Sequence, residues 1–317
     1  MKKRLLLNLI LLVAVAGLAT LAFLEPNKKE AKITHLTELD DSTVNAITLQ
    51  NKDKLVFEKR EGQWWLSSPF AAPANEIRIR QLLDITKAES LAQYPIKPED
   101  LAKFELDKPK FTLTISSAKL IFGGSDPINM RRYVQIGETL HLVNDDFSHH
   151  LAASATDFVD KKLLPENAKP NEIFLPGLKA TLGQNGQWTL DPPTDAAARM
   201  ADLVNAWQSA RAIEVKRIEQ APQGDIVRIG FVNHAPIEFV IVQREPDLLL
   251  ARADWGLQYL VAGESGKQLL SLKQPEPKPE EKKPEPEAAP ATEQGEEEEA
   301  DPGEDQEESP QGEEESE

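Results

Sequence analysis

The chain has no cysteine, only three methionines and three tyrosines, and aromatic residues make up just 6% of its 317 positions. Without thiols it can hold no disulfide, thiolate zinc site, iron–sulfur cluster, cysteine nucleophile or lipidated N-terminal cysteine. It also lacks a basic excess, since its formal net charge is −17. Residues 274–317 carry nineteen Asp and Glu against three Lys, which leaves residues 1–273 at −1. Generalised attraction to nucleic acid requires a basic face, so that partner class is excluded. Catalytic signatures are missing too. No serine sits in a Gly-x-Ser-x-Gly elbow, and Gly123-Gly124 leads into Ser-Asp-Pro rather than the Gly-Lys-Ser/Thr of a phosphate loop. That glycine pair reads as a hairpin turn.

What is present begins with a basic head, residues 1–4, followed by an apolar run over residues 5–24 that only Asn8 and Thr20 interrupt. About 20 such residues suffice to cross a bilayer as a helix. The run reads as a transmembrane anchor. A cleaved signal peptide is the competing reading, because Ala14-Val15-Ala16 offers a small-residue processing site. A short basic head favours an N-terminus inside, which puts the bulk of the chain outside the cytoplasm, in a periplasm if the cell is Gram-negative. At the other end, residues 274–317 are almost wholly Glu, Asp, Pro, Gly, Ser and Gln, a composition that buries no core and predicts a disordered acidic tail.

Between these ends the chain repeats itself. Asn45-Ala46-Ile47-Thr48-Leu49 is echoed by Asn171-Glu172-Ile173-Phe174-Leu175, and Gly62-Gln63-Trp64 by Gly186-Gln187-Trp188. Alternating apolar residues around both predict short strands joined by tight turns. A helix follows each hairpin, with Ile79, Leu82, Leu83 and Thr86 on one stripe in the first copy and Met200, Leu203, Val204, Trp207 and Arg211 in the second. Strand pairs then return at Phe111 to Phe122, Tyr133 to Val143, Ile226 to Val242 and Leu249 to Val261, and a closing helix contains Leu151 in one copy and Leu269 in the other. The expected fold class is α+β: two modules, residues 32–164 and 165–273, each a largely antiparallel sheet with one main packed helix.

Several of these segments resemble DUF4340, a bacterial family of uncharacterised domains. Phe104-Glu105-Leu106-Asp107-Lys108-Pro109 is similar to its aromatic-Gly-Leu-Asp-x-Pro lead into a strand, with Glu105 where the family pattern has glycine. Leu120-Ile121-Phe122-Gly123, Arg132-Tyr133-Val134-Gln135-Ile136 and Asp157-Phe158-Val159-Asp160-Lys161-Lys162-Leu163-Leu164-Pro165 resemble its later motifs. The resemblance would cover residues 32–272. It implies a membrane-anchored, extracytoplasmic accessory protein, often found with gliding-motility-type ABC transport components, and it implies no catalytic residues.

The strongest catalytic or metal candidate is Asp145-Asp146-Phe147-Ser148-His149-His150, whose two imidazoles and two carboxylates supply nitrogen and oxygen donors. Adjacent histidines on a helix diverge by about 100° and do not converge on one ion as a His-x-x-x-His pair does, so a polar helix face is the preferred reading. No catalytic residue, cofactor or metal site is assigned. Trp64 and Trp188 recur in both copies and are expected to pack each hairpin on its helix. Trp65 should face the other way and is the better surface anchor, with Arg131, Arg132 and Arg252 as further partner-contact candidates. The function expected is that of a noncatalytic scaffold or accessory subunit in the inner membrane, partnered by an ABC permease and ATPase or another envelope protein. The alternatives are a periplasmic binding module for a glycan, peptide or lipid, and a metal-assisted hydrolase using His149 or His150.

Overall fold

The computed structural model describes residues 34–272 and, singly, Val15. The expected anchor at residues 5–24, apart from Val15, and the acidic tail at 274–317 lie outside the described residues. Among those described, no helix is long and apolar enough to cross a membrane.

Two antiparallel sheets carry the fold. The first contains β1 (Ala46–Gln50), β2 (Lys54–Arg60), β3 (Gln63–Ser68), β4 (Ala72–Pro73), β5 (Ala92–Pro95), β6 (Phe111–Ile115), β7 (Ala118–Ser125), β8 (Arg132–Ile136) and β9 (Thr139–Val143), in the order β4-β3-β2-β1-β6-β7-β8-β9-β5. The second contains β10 (Pro170–Leu175), β11 (Leu178–Leu182), β12 (Trp188–Asp191), β13 (Glu214–Arg217), β14 (Asp225–Phe231), β15 (Ile237–Gln243), β16 (Leu248–Arg252) and β17 (Leu257–Val261), in the order β12-β11-β10-β14-β15-β16-β17-β13. The helices are α1 (Glu76–Ile85), α2 (Ser148–Leu151), α3 (Met200–Ser209) and α4 (Gly263–Leu270). Apart from the extra strand β4, the second sheet repeats the topology of the first. The α+β class and the pair of modules are therefore as the sequence indicates.

Period-two patterning selects the buried face of each strand. Ile47 and Leu49, Leu55 and Phe57, and Leu113 and Ile115 turn inward in the first module, while Ile173 and Leu175, Val227 and Ile229, and Leu257, Tyr259 and Val261 do so in the second. Burying each such aliphatic or aromatic side chain contributes about 1.5–3 kcal/mol. Asn75 starts α1 by accepting the backbone N–H groups of Ile77 and Arg78. Ile79, Leu82, Leu83 and Ile85 then face the core and Ile77 faces out. Trp64 is buried and Trp188 is half-buried at the core margin.

The two modules share one apolar core. The segment between them does the joining: Val159 bridges to Ala74 beside β4, and Lys162 bridges to Arg211 just before β13. Asp160 N–H donates to Pro73 C=O, and Leu163 N–H to Ala210 C=O.

Four local features depart from the sequence reading. Strands β5 and β13 were not expected, because Ala-Gln-Tyr-Pro and Glu-Val-Lys-Arg lack a clear apolar alternation; both are edge strands, where polar residues and proline are tolerated. Helix α3 ends at Ser209, so Arg211 lies beyond its apolar stripe. Gly123-Gly124 belongs to β7 and is not a hairpin turn. A Cβ on Gly123 would lie 2.2 Å from the carbonyl oxygen of Phe104, so glycine is required by a backbone crossing over the strand.

That crossing chain is a 3-10 segment, Pro98–Phe104, ending at Glu105 with φ 57° and ψ 30°. A non-glycine residue is strained in this left-handed conformation. Replacing Glu105 with glycine, the residue of the family pattern, is expected to stabilise the fold by about 0.5–1 kcal/mol after allowing for the added freedom of the unfolded chain. Urea unfolding would show a higher midpoint at unchanged slope, and a lower midpoint would refute the argument.

Candidate functional site

A cleft of about 340 Å³ lies where the modules meet. Strand β3 contributes Trp65 and the start of α1 contributes Asn75 and Glu76. The joining segment adds Asp160 and Lys162, Arg211 comes from beyond α3, the end of β16 supplies Arg252 and the β16–β17 turn supplies Trp255.

Trp64 and Trp65 alternate as neighbours on a strand must, so burying Trp64 delivers Trp65 to the cleft. Its ring meets Trp255 edge to face, with centroids 6.4 Å apart and planes at 83°. Arg252 stacks on Trp255, its guanidinium carbon 3.2 Å from the ring centroid, and Arg60 lies 5.6 Å from the centre of Trp65. Arg252 is only 7% exposed, and it donates from Nε and Nη2 to the carboxylate of Asp254 at 3.1–3.3 Å. Burial lowers its pKa, and the bonds to Asp254 oppose that shift. Its neighbour Tyr259 is buried, its hydroxyl has no hydrogen-bond partner among the described residues, and burial pushes its phenol well above the ordinary range.

Comparison of the two copies shows what is special here. The β8–β9 turn of the first module is Gly137-Glu138, whereas the β16–β17 turn of the second is Ala253-Asp254-Trp255-Gly256. Ladder register puts Arg252 where the first module has Ile136, and Tyr259 where it has His141. Two added turn residues and one arginine on a core-facing position thus build one wall of the cleft. Lys162 pairs with Glu166 at 3.2 Å, while the guanidinium of Arg211 makes no hydrogen bond or ion pair among the described residues. The site therefore offers an aromatic corner, a buried cation and both signs of charge at its rim. Such an arrangement suits recognition, with the aromatic rings giving contact area and the charges giving orientation.

Of the four residues singled out from the sequence, the structure brings Trp65 and Arg252 together and places Arg131 and Arg132 elsewhere. Arg132, on β8, faces the protein interior. It donates to Asp145, to the carbonyl of Gly123 at 2.8 Å and to Ser148 Oγ at 3.1 Å. Arg131 is half-buried, and its carbonyl accepts the N–H of Asp126. Trp255 and Arg211 were missed. The longer second turn was the signal for Trp255, and Arg211 carried none once it was placed on the helix stripe.

The Asp145–His150 cluster is committed to other contacts. The rings of His149 and His150 lie 3.8 Å apart, and His150 Nδ1 is 3.4 Å from Arg78 Nη1. Burial, with a smaller contribution from the neighbouring His149 and Arg78, lowers the pKa of His150. Asp84 and Asp146 line the same small cavity as His150, but among the described residues no three acidic or histidine side chains are grouped to hold a metal. Ser90 Oγ and His141 Nδ1 lie 2.9 Å apart in a buried pair, with no carboxylate among their hydrogen-bond partners.

The family model for DUF4340, a domain of unknown function, matches residues 64–218. The chain carries a DUF4340 domain, and the matched span begins at Trp64 beside the cleft and runs through the joining segment into β13. No curated protein and no solved structure matches significantly.

Proposed function

We propose that this chain is a noncatalytic, membrane-anchored extracytoplasmic accessory subunit of an ABC-type transport or envelope complex, and that the junction cleft is its docking site. The observation that carries this reading is the Trp65–Trp255–Arg252 corner, assembled from both modules, with Trp255 and Arg252 supplied by the second at positions where the first copy has no tryptophan or arginine. Aromatic residues and arginine dominate interface energetics when a pocket desolvates them. Any ATP hydrolysis belongs to a separate subunit in this scheme.

The test is in-cell crosslinking of the full chain, mild-detergent purification and mass spectrometry, comparing wild type with Trp65→Ala. Trp65 is half-buried, so its truncation leaves the core in place. Near-stoichiometric recovery of a permease and ATPase is expected from wild type, falling at least about tenfold in the variant, the loss that ~1.4 kcal/mol of binding energy produces. Undiminished recovery from Trp65→Ala would move the contact elsewhere. If no membrane partner is captured, the accessory-subunit reading falls. The cleft volume favours one second reading, a binding module for a glycan, peptide or lipid. Quenching of tryptophan fluorescence by such a ligand, abolished in Trp65→Ala, would support it.

A further inference from the structure

One connection of the first module points an apolar tip into solvent. Residues 126–131, Asp-Pro-Ile-Asn-Met-Arg, join β7 to β8. Ile128 is 84% and Met130 69% exposed, and Ile128 is the most exposed large apolar side chain among the described residues. The loop is built to hold them there. The Asp126 carboxylate accepts the backbone N–H and the side-chain amide of Asn129 at 2.9 and 3.2 Å, and the N–H of Met130 donates to the Asp126 carbonyl. Met130 has φ 57°, a left-handed conformation that is costly for a residue other than glycine, so the turn that projects it is kept against local strain.

The repeat supplies the comparison. The equivalent connection of the second module, 244–247 between β15 and β16, is Arg-Glu-Pro-Asp. Arg244 pairs there with Asp225 at 2.6 Å, and Asp247 accepts the N–H of Gly263 at 2.8 Å. The fold closes this connection without an exposed aliphatic residue, so Ile128 and Met130 serve something outside the module.

The place where the chain enters the fold indicates what that is. Ser90 N–H donates to the carbonyl of Thr34, where the described body begins, and Leu91 N–H to the carbonyl of Leu142. Ladder register sets Ala92 opposite Leu142, and Leu142 opposite Tyr133. Ser90 is therefore level with Asn144 and Arg131, at the end of the sheet from which residues 127–130 project. Thr34 lies three strand spacings of about 4.8 Å from Arg131. Nine residues separate Thr34 from the apolar run at 5–24, a tether no longer than about 36 Å. If that run is the anchor, the tip and the point of tethering share one end of the module. The charges at this end have both signs, Lys108, Lys110 and Arg131 against Asp107 and Asp126, so the two apolar side chains and not headgroup charge would carry a contact with lipid.

We propose that the β7–β8 loop inserts Ile128 and Met130 into the interfacial layer of the bilayer that anchors the chain, and thereby sets how the first module stands on the membrane. Two side chains make a weak contact by themselves, but the short tether holds the loop at high local concentration beside the surface. The proposal rests on the anchor reading made above and is independent of the role given to the junction cleft.

Because the chain has no cysteine, Pro127→Cys provides one site for a fluorophore beside Ile128, and Glu245→Cys provides the control on the matching loop. Each labelled full chain is reconstituted in phosphatidylcholine vesicles that contain lipid spin-labelled near the top of its acyl chains. The spin label is expected to quench the probe at 127 at least about threefold more strongly than the probe at 245, at low and high salt alike. Adding Ile128→Ser and Met130→Ser should abolish the difference with the melting temperature unchanged, since both side chains are exposed. Equal quenching at the two positions, in a chain that alkaline extraction leaves in the vesicles, overturns the proposal while the anchor stands. Preferential quenching that survives the double serine variant, or that is lost at high salt, overturns it as well. Release of the chain by alkaline extraction removes the anchor and the proposal with it.

Discussion

Replacing Trp207 with alanine is expected to cost about 3–5 kcal/mol, the range for truncating a fully buried aromatic residue in a core that relaxes only in part. Trp207 has no exposed surface, and its ring lies 5.7 Å from that of Phe239 at a 31° tilt. Its indole N–H donates to the carbonyl of Leu269 at 3.0 Å, tying α3 to α4. Removing the indole leaves a cavity and deprives that buried carbonyl of its donor, which adds about 1 kcal/mol. Because both modules feed one apolar core, the loss should lower a single transition and not melt the second module alone. Far-UV circular dichroism during heating would show one step displaced downward by about 10 °C, at the 2–4 °C per kcal/mol usual for this chain length. Two separate steps would refute the shared core, and an unchanged midpoint would refute the packing argument.

The second large effect concerns a charge pair. Arg132 and Asp145 are 17% and 14% exposed at their side chains, and Asp145 Oδ1 also accepts the backbone N–H of Ser148 at the start of α2. Asp145→Ala alone should destabilise by about 2–3 kcal/mol, because a guanidinium mostly withdrawn from water loses its counter-charge while a helix start loses its acceptor. The repeat indicates how to undo this. At the equivalent of Arg132 the second module has Leu248, buried against Gly266 of α4, and the copies aligned from Val143 and Val261 match Asp145 with Gly263. The double variant Arg132→Leu/Asp145→Ala is therefore expected to return to within about 1 kcal/mol of wild type, since an apolar pair carries no desolvation cost. Chemical denaturation of the wild type, the single variant and the double variant completes the comparison. A double variant as unstable as Asp145→Ala would show that the pair does more than fill space and balance charge.

Much of this architecture could be read directly from residue order. Strands with inward Ile, Leu, Val and Phe at alternate positions were recognisable because one face of each is buried, and the helices showed their stripes for the same reason. Strands β5 and β13 were illegible because edge strands owe their conformation to pairing with β9 and β17, not to burial of their own side chains. Arg132 was read as a surface residue by type, although its alternation with the buried Val134 pointed inward and Asp145 stood ready in the next connection. The cleft was half legible. Trp65 followed from alternation beside Trp64, and Arg252 was noticed as an arginine near a strand end. That the two meet is a tertiary fact, produced by the joining segment when it pins the edge beside β4 to the residues before β13.

The cleft draws Trp65 from near the beginning of the folded chain and Arg252 and Trp255 from near its end. During synthesis the first tryptophan emerges long before the second, and the corner cannot exist until β16 and β17 have joined the sheet. A prematurely terminated chain could thus build most of the first module and still present no aromatic corner. Under the proposed role, recruitment into a complex would act as a check on completeness: only a finished and folded copy qualifies, and truncated products are left for proteolysis instead of occupying a place in the assembly.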